Sequence, residues 1–288
     1  MLRGLIGWAI GMFFVVTGRL ARQVKRYDVP GAFLAIVCHD PCERVFVGVV
    51  KWLVKHGFTF VSPDELFAIR DGRMQWRPRM VWLSFDDGWL SLKTRIMPIL
   101  EKYSIKATLF IAPHETERGQ VWTNSIMPYA PFEKIREMYS WPADERYAVV
   151  DAMLAEGQNV RQLIDEPTIR ALAHHHLITV ENHTYTHLSC SHRPVSEVIA
   201  EVKDTQKILT DWTDRVPRMV CYPFGHCNNE TDEAVKQLGL APVRLDAGVS
   251  EISVIGVHRN LVCDRYSITE NVCRALNAWV KVTVPDKG

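Results

Sequence analysis

What this chain of 288 residues lacks bounds it first. It has no excess of charge: 34 Lys and Arg against 33 Asp and Glu leave a formal +1. That excludes the broad positive field of a general nucleic-acid binder. It lacks the polar composition of a disordered chain, because 47% of its residues are apolar, enough to fill a core. It has no C-x-x-C pair, and its seven cysteines (Cys38, Cys42, Cys190, Cys221, Cys227, Cys263 and Cys273) are an odd number. Several lie inside apolar runs. They read as small buried hydrophobes of a reducing compartment, not as a disulfide framework. No repeat, low-complexity tract or linker divides the chain, which points to a single domain.

Nor is there an apolar run of the ~20 residues that a spanning helix needs. Leu5–Val16 falls short of it; the run is apolar on all sides, preceded by Arg3 and followed by Arg19, Arg22, Lys25 and Arg26. Such a run also suits a signal peptide, with Val16 and Gly18 small enough for a weak cleavage site. Positive charge directly after it favours keeping the remainder of the chain in the cytoplasm. Residues 1–26 are therefore expected to contact a membrane peripherally, basic side chains against anionic headgroups, with residues 27–288 as the folded domain. The bland alternative is a helix packed on the domain's own surface. The expected location is the cytoplasm at the inner face of the membrane; the alternative is export with an uncleaved anchor.

Beyond that segment, strand-like and helix-like stretches alternate. Strands are expected at Phe33–Cys38, Phe58–Val61, Met80–Phe85, Ala107–Ile111, Leu177–Glu181, Met219–Tyr222 and Val254–Val257. Helices fall between them, and one over Thr269–Val280 closes the chain. Residues 114–161 break the period with aromatics (Trp122, Tyr129, Phe132, Tyr139, Trp141, Tyr147) and helical patches, and read as an insertion beside a site. The aromatics suit either sugar stacking or the insertion's own small core. Alternation implies parallel strands with crossover helices. About seven such units suit an irregular (β/α)7-type barrel, an α/β single domain with a helical insertion, better than an open sheet. In such barrels chemistry collects where strands end.

Two stretches then stand out. Ser84-Phe85-Asp86-Asp87-Gly88 puts two carboxylates at the end of an apolar run, and Glu181-Asn182-His183-Thr184-Tyr185-Thr186-His187 puts two imidazoles four residues apart. Alone, the first is an ordinary turn that caps a helix and the second two polar residues of a surface turn. Four residues make one helical turn, which would set both rings on one face. Together, one carboxylate and two imidazoles hold a divalent metal and leave a position for water. The other carboxylate is free to take that water's proton.

The pair of motifs resembles the polysaccharide deacetylases, the NodB-homology or carbohydrate esterase family 4 group. The likeness covers about Phe33 to Leu261. It implies Asp86 as general base and Asp87, His183 and His187 as ligands of a divalent metal, Zn²⁺ first, with Co²⁺, Ni²⁺ or Mn²⁺ as alternatives. The similarity is closer to the branch acting on poly-N-acetylglucosamine, whose catalytic histidine precedes the Asp-Asp motif. Ile36-Val37-Cys38-His39-Asp40 looks like that segment, with Cys38 in place of an aromatic, and makes His39 the general acid. Cys221-Tyr222-Pro223-Phe224-Gly225 resembles the family's third motif, implying an oxyanion contact from the Phe224 N–H and substrate contact at Tyr222. Val257-His258-Arg259-Asn260 resembles a late I-P-R segment whose Arg fixes the catalytic Asp. Here His258 replaces Pro, and Arg259 takes that role.

The implied activity is hydrolysis of the N-acetyl group of an amino sugar in a bacterial surface glycan or its lipid-linked precursor. O-acetyl ester cleavage at the same metal, or glycan binding without catalysis, are the alternatives. His174-His175-His176 is discounted as a helix-end cluster suited to the dipole. His192 and His226 are read as rim or surface residues, and His114 as a possible pocket residue with no support.

Overall fold

Strands buried from end to end make the frame. The computed structural model describes residues 2–154, 161–252 and 256–279. Its strands are β1 (Ala32–Cys38), β2 (Thr59–Val61), β3 (Met80–Asp86), β4 (Ala107–Ile111), β5 (Ile178–Asn182), β6 (Met219–Cys221) and β7 (Ala241–Arg244), then three short pieces, β8 (Ser250–Glu251), β9 (Val257–His258) and β10 (Asn260–Leu261). Every residue of β1, β3, β4, β5 and β6 is buried, as parallel strands covered on both faces require.

Pairing runs β10-β1-β3-β4-β5-β6-β7-β9, parallel throughout. Arg259 alone separates β9 from β10. One broken strand therefore pairs with β7 at its start and β1 at its end, and closes the sheet into an irregular barrel of seven staves. The expected barrel is what the chain forms, but its membership differs. β2 pairs only with β3, on the edge it shares with β4, and lies off the circuit. Its place is taken by Ala241–Arg244, which Pro242 and Arg244 disguise as a loop. The expected strand Val254–Val257 overlaps residues 253–255, outside those described, and the observed strand starts at Val257.

Alternation along β3 separates two cores. Val81, Leu83 and Phe85 pack outward with helix residues such as Phe46, Leu92 and Ile96. Met80 and Trp82 fill the barrel interior with Phe110, Met219, Cys221 and Val243. Ser84 and Asp86 continue the inward series, so register alone brings a carboxylate into the barrel at the end where β3 finishes.

The insertion is helical, with segments Pro113–Arg118, Trp122–Ile126, Phe132–Glu137 and Ala143–Leu154; residues 155–160 lie outside those described. Trp122, Ile126, Ile135, Met138, Tyr147 and Val150 form its own core. At the other flank, the first helix (Leu2–Val16) lies against the last (Ile268–Ala275). No single helix among the described residues is long and apolar enough to cross a membrane.

Candidate active site

The Asp pair sits where β3 ends. Asp86 follows the strand's alternation, but Asp87 would point away from it on the same register. The backbone turns instead: Asp87 has φ +72° and Gly88 φ +77°, and the Asp87 N–H bonds to the Phe110 carbonyl at 3.0 Å. Any Cβ at Gly88 would also come within 2.8 Å of Ile111 Cδ1. This left-handed pair of residues swings the second carboxylate into the same cavity as the first.

Asp86 is 3% exposed and gripped by Arg259, whose Nη1 and Nη2 donate to Oδ1 at 2.6 Å and Oδ2 at 2.8 Å. Burial would raise the Asp86 carboxyl. The Arg259 charge, with that of His183, outweighs it and holds the pKa below the usual range. Arg259 is itself 1% exposed, donates to Ser84 Oγ at 3.0 Å and touches Cys221 Sγ at 2.7 Å. It is the residue at which β9 gives way to β10.

Asp87, His183 and His187 converge. Asp87 Oδ1 lies 3.2 Å from His187 Nε2 and 3.6 Å from His183 Nε2, and all three side chains are buried. Trp89 Nε1 donates to the other oxygen at 3.2 Å. His183 Nδ1 meets the Cys221 carbonyl at 2.9 Å, which makes that nitrogen the N–H and turns the Nε2 lone pair inward. Asp87 Oδ1 is buried with no hydrogen-bond donor. Three donor atoms within 4.8 Å of one another therefore face one point, and they are of the kind that binds a divalent transition metal. Burial opposes ionisation of Asp87, yet the two imidazoles hold its pKa well below the usual range. Burial also keeps His187 low; at His183 the Cys221 and Asp87 contacts outweigh it and raise the pKa. A cation held there would compete with protons for these donors.

The His-x-x-x-His spacing is not a helical turn. Residues 183–189 are irregular, with φ +59° at Thr184 and +51° at His187. A β-branched residue in that region is an outlier, stabilised here by its surroundings. Thr184 N–H donates to Asn182 Oδ1 and its Oγ1 accepts from the Leu188 N–H, both at 2.9 Å. Thr186 N–H and Oγ1 donate to Glu201 at 2.7 and 2.6 Å, and Arg146 donates to the Thr186 carbonyl at 2.9 Å. Loop strain, not helical periodicity, brings the rings together.

A cavity of about 370 Å³ opens over these groups, within the usual range for small-ligand sites, roughly 300–1,000 Å³. His39 stands at its wall, 40% exposed, with Nε2 3.9 Å from Asp86 Oδ2. Phe224 also lines it, at φ +60°, its ring edge-on to His187 at 4.6 Å. Tyr222 borders the cavity but is 1% exposed, packed with Leu188, Val198, Val235 and Leu240; it is a wall of the site, with little surface to offer a substrate. The opposite wall comes from the insertion, including Met127, Phe132 and Tyr139. Phe132 is 61% exposed while Trp122 is fully buried, so the insertion's aromatics divide between pocket lining and its own core.

The discounted histidines stay outside the trio. His175 and His176 stack on each other, ring centroids 4.7 Å apart, away from it. His114 packs on Tyr147, and burial brings its pKa down to about 4. His192 and His226 share Ser189 Oγ at 2.7 Å each, in a neighbouring hollow that meets the cavity at Tyr139. Sequence reasoning missed Trp89, Cys221 and Arg146 as supports of the site. Trp89 could have been found, two residues past Asp87; Cys221 and Arg146 reach it only through the fold.

The sequence profile of the polysaccharide deacetylase family matches residues 74–243, well over half of the chain. A Bacillus subtilis protein bearing the polysaccharide deacetylase name is 21% identical over 197 residues, covering 68% of this chain and 55% of that protein. The poly-β-1,6-N-acetyl-D-glucosamine N-deacetylase of Staphylococcus aureus is 23% identical over 226 residues, covering 76% of this chain and 61% of that one. The chain thus spans less than two thirds of the length of either relative. In fold it is similar to the Streptococcus pyogenes deacetylase PplD, solved with acetate, at a TM-score of 0.63 and 17% identity, covering 86% of this chain and 99% of that one. With a matching profile, the same barrel and the motif residues gathered at one end of it, the chain belongs to the polysaccharide deacetylase family.

Proposed function

We propose that the protein is a metal-dependent N-deacetylase that hydrolyses the acetamide of an amino sugar in a bacterial glycan or its lipid-linked precursor. The observation that carries this reading is the juxtaposition of Asp86, ionised and clamped by Arg259, with the inward-facing donors of Asp87, His183 and His187. A base and a metal site, side by side in one small cavity, form the equipment of a hydrolase. Asp87, His183 and His187 would hold the ion, Zn²⁺ first. When bound, it supplies Lewis acidity to the acetamide carbonyl and makes the attacking water more acidic.

The chain's own residues do the rest. Asp86 takes the proton of the water, kept ionised and aimed by Arg259. The Phe224 N–H, at a residue with φ +60°, donates to the oxyanion that forms. His39, beside Asp86 at the cavity wall and partly open to solvent, gives a proton to the departing amine. Acetate and a free amino sugar leave. The cavity has room for a sugar residue, and Phe132 and Tyr139 offer it aromatic walls.

The test pairs metal analysis with turnover. Asp87→Ala and His183→Ala should each lose metal and activity together, whereas Asp86→Asn should keep metal and lose turnover. Metal retained in His183→Ala overturns the ligand assignment. On N-acetylglucosamine oligomers, release of acetate and amine in equal amounts is expected. Acetate from O-acetylated glycans, with no amine produced, would make the protein an esterase.

A further inference from the structure

We propose that the first helix docks the protein on an anionic lipid bilayer, lying in the interface with its apolar surface toward the acyl chains. The helix touches its own domain along a narrow seam. Of Gly7, Gly11 and Phe14, spaced for one face, the glycines meet the last helix and Phe14 the residues after it: a Cβ at Gly11 would stand 2.8 Å from Thr269 Cγ2, and Phe14 packs edge-on to Trp279 at 5.7 Å. The glycines let the helices approach; the large side chains point away. Leu5, Ile6, Trp8, Phe13 and Val16 are between 50% and 80% exposed, and no charged residue falls between Arg3 and Arg19. A contiguous apolar surface of this kind on a folded chain marks an interaction site.

Charge names the occupant. Directly after the apolar helix the chain bends by 72° into Arg19–Asp28, where Arg22, Lys25 and Arg26 are exposed. Arg19 folds back over the Phe14 ring at 4.7 Å. A second copy or an apolar peptide would cover the helix and leave these cations unused. An anionic bilayer takes both, acyl chains against the apolar face and headgroups against the basic bend. The helix alone is too short to cross, and the bent pair it forms with Arg19–Asp28 carries Arg19, Arg22, Lys25 and Arg26 on its second arm, which favours the interface. The placement also has a direction. Gly7 lies beside Glu270, just after the loop that lines a hollow together with His39. The lipid-facing helix therefore begins at the catalytic end of the barrel.

Cosedimentation of the purified full chain with phosphatidylcholine vesicles, with and without phosphatidylglycerol, tests this. Binding is expected to the anionic vesicles and to weaken as salt is raised. Leu5→Gln/Trp8→Gln/Phe13→Gln should lower it about a hundredfold or more. Arg22→Gln/Lys25→Gln/Arg26→Gln should lower it on the order of a hundredfold and flatten the salt dependence. All six positions lie on the helix surface or the bend, so both variants should melt with the parent. The proposal is overturned if the parent stays in the supernatant, if the apolar variant binds as the parent does, or if light scattering shows a dimer, lost in that variant, with no vesicle binding. It fails equally if the protein recovered from cells begins after Gly18.

Discussion

At the scale of single residues, Arg259 decides whether Asp86 stays ionised, as the proposed base must. A buried carboxylate alone would take up a proton, and the bidentate guanidinium prevents that. Removing one partner of such a pair strands the other charge, at a cost of about 3–5 kcal/mol. Arg259→Gln should therefore unfold at clearly lower denaturant, and it should also move the pH dependence. With Arg259 in place the Asp86 pKa is depressed, so its stabilising contribution is present above the unfolded value and is lost as pH falls through the folded one. In Arg259→Gln burial is opposed only by the His183 and His39 charges, and the carboxyl titrates higher. The acidic limb of kcat/KM should shift upward, measured in a pH series on the folded fraction. An unmoved limb would assign the base to another group.

Glu115 is the opposite case. It is buried inside the insertion, where it accepts the Trp122 N–H at 2.8 Å and the Tyr147 hydroxyl. Burial pushes its carboxyl from 4.5 to about 8, against smaller lowering effects of Tyr147 and Arg146. The native state thus keeps a proton that the unfolded chain has lost across that window, and stability falls as pH rises from about 4.5 to about 8. Glu115→Gln should flatten that slope, which amounts to a few kcal/mol (order of magnitude) between its ends. Urea unfolding at several pH values reads it directly; parallel curves for the two proteins would contradict the assignment.

At the scale of elements, the insertion is a support for the loop of His183 and His187 as well as a wall of the pocket. Arg146, on its last helix and fully buried, donates from Nη2 to both the carbonyl and Oγ1 of Thr186 at 2.9 Å. Trp122 Nε1 reaches the His187 carbonyl at 3.4 Å. These contacts fix a stretch whose Thr184 and His187 backbones cost of order 1–3 kcal/mol each. Arg146→Met keeps the volume and removes the tether. Metal affinity should drop about 10–100-fold, as for other residues that orient ligands, measured by chelator competition with the circular dichroism unchanged. Equal affinity would show that the loop stands without the insertion.

This support was not legible in the chain order, and the reasons are physical. The motif residues themselves could be read because Asp86, Asp87, His183 and His187 are chemically distinctive and follow apolar runs. Their geometry could not: His183 and His187 suggested a helical turn, and the answer was a left-handed loop held by Glu201 and Arg146, 14 and 41 positions from His187 in the sequence. The long strands β1, β3 and β4 announced themselves by unbroken burial. Ala241–Arg244 did not, since Pro and Arg are poor strand signals; Pro242 is paired with β6 alone, β9 joining only from Val243 onward. β9 and β10, two residues each, are too short for any periodicity to register.

At the scale of the molecule, the candidate metal site ties together parts that are far apart in sequence. Asp87 leaves β3, His183 and His187 follow β5, and the Cys221 carbonyl that orients His183 ends β6. β4 lies between β3 and β5 in the barrel wall, so an ion held by these three residues would clamp a span of that end of the barrel. Unfolding disperses the ligands, and binding to the native state alone stabilises it by RT ln(1 + [L]/Kd), about 2.7 kcal/mol at a hundredfold excess over Kd. For a chain of this size that is roughly 5–10 °C in Tm. Zn²⁺ should accordingly raise the Tm of the chelator-stripped protein in proportion to the logarithm of its concentration. His187→Ala should remove that response, while Asp86→Asn, which leaves all three donors in place, should retain it. A Zn²⁺ response that survives in His187→Ala would place the ion elsewhere in the molecule, and with it the chemistry assigned to this end of the barrel.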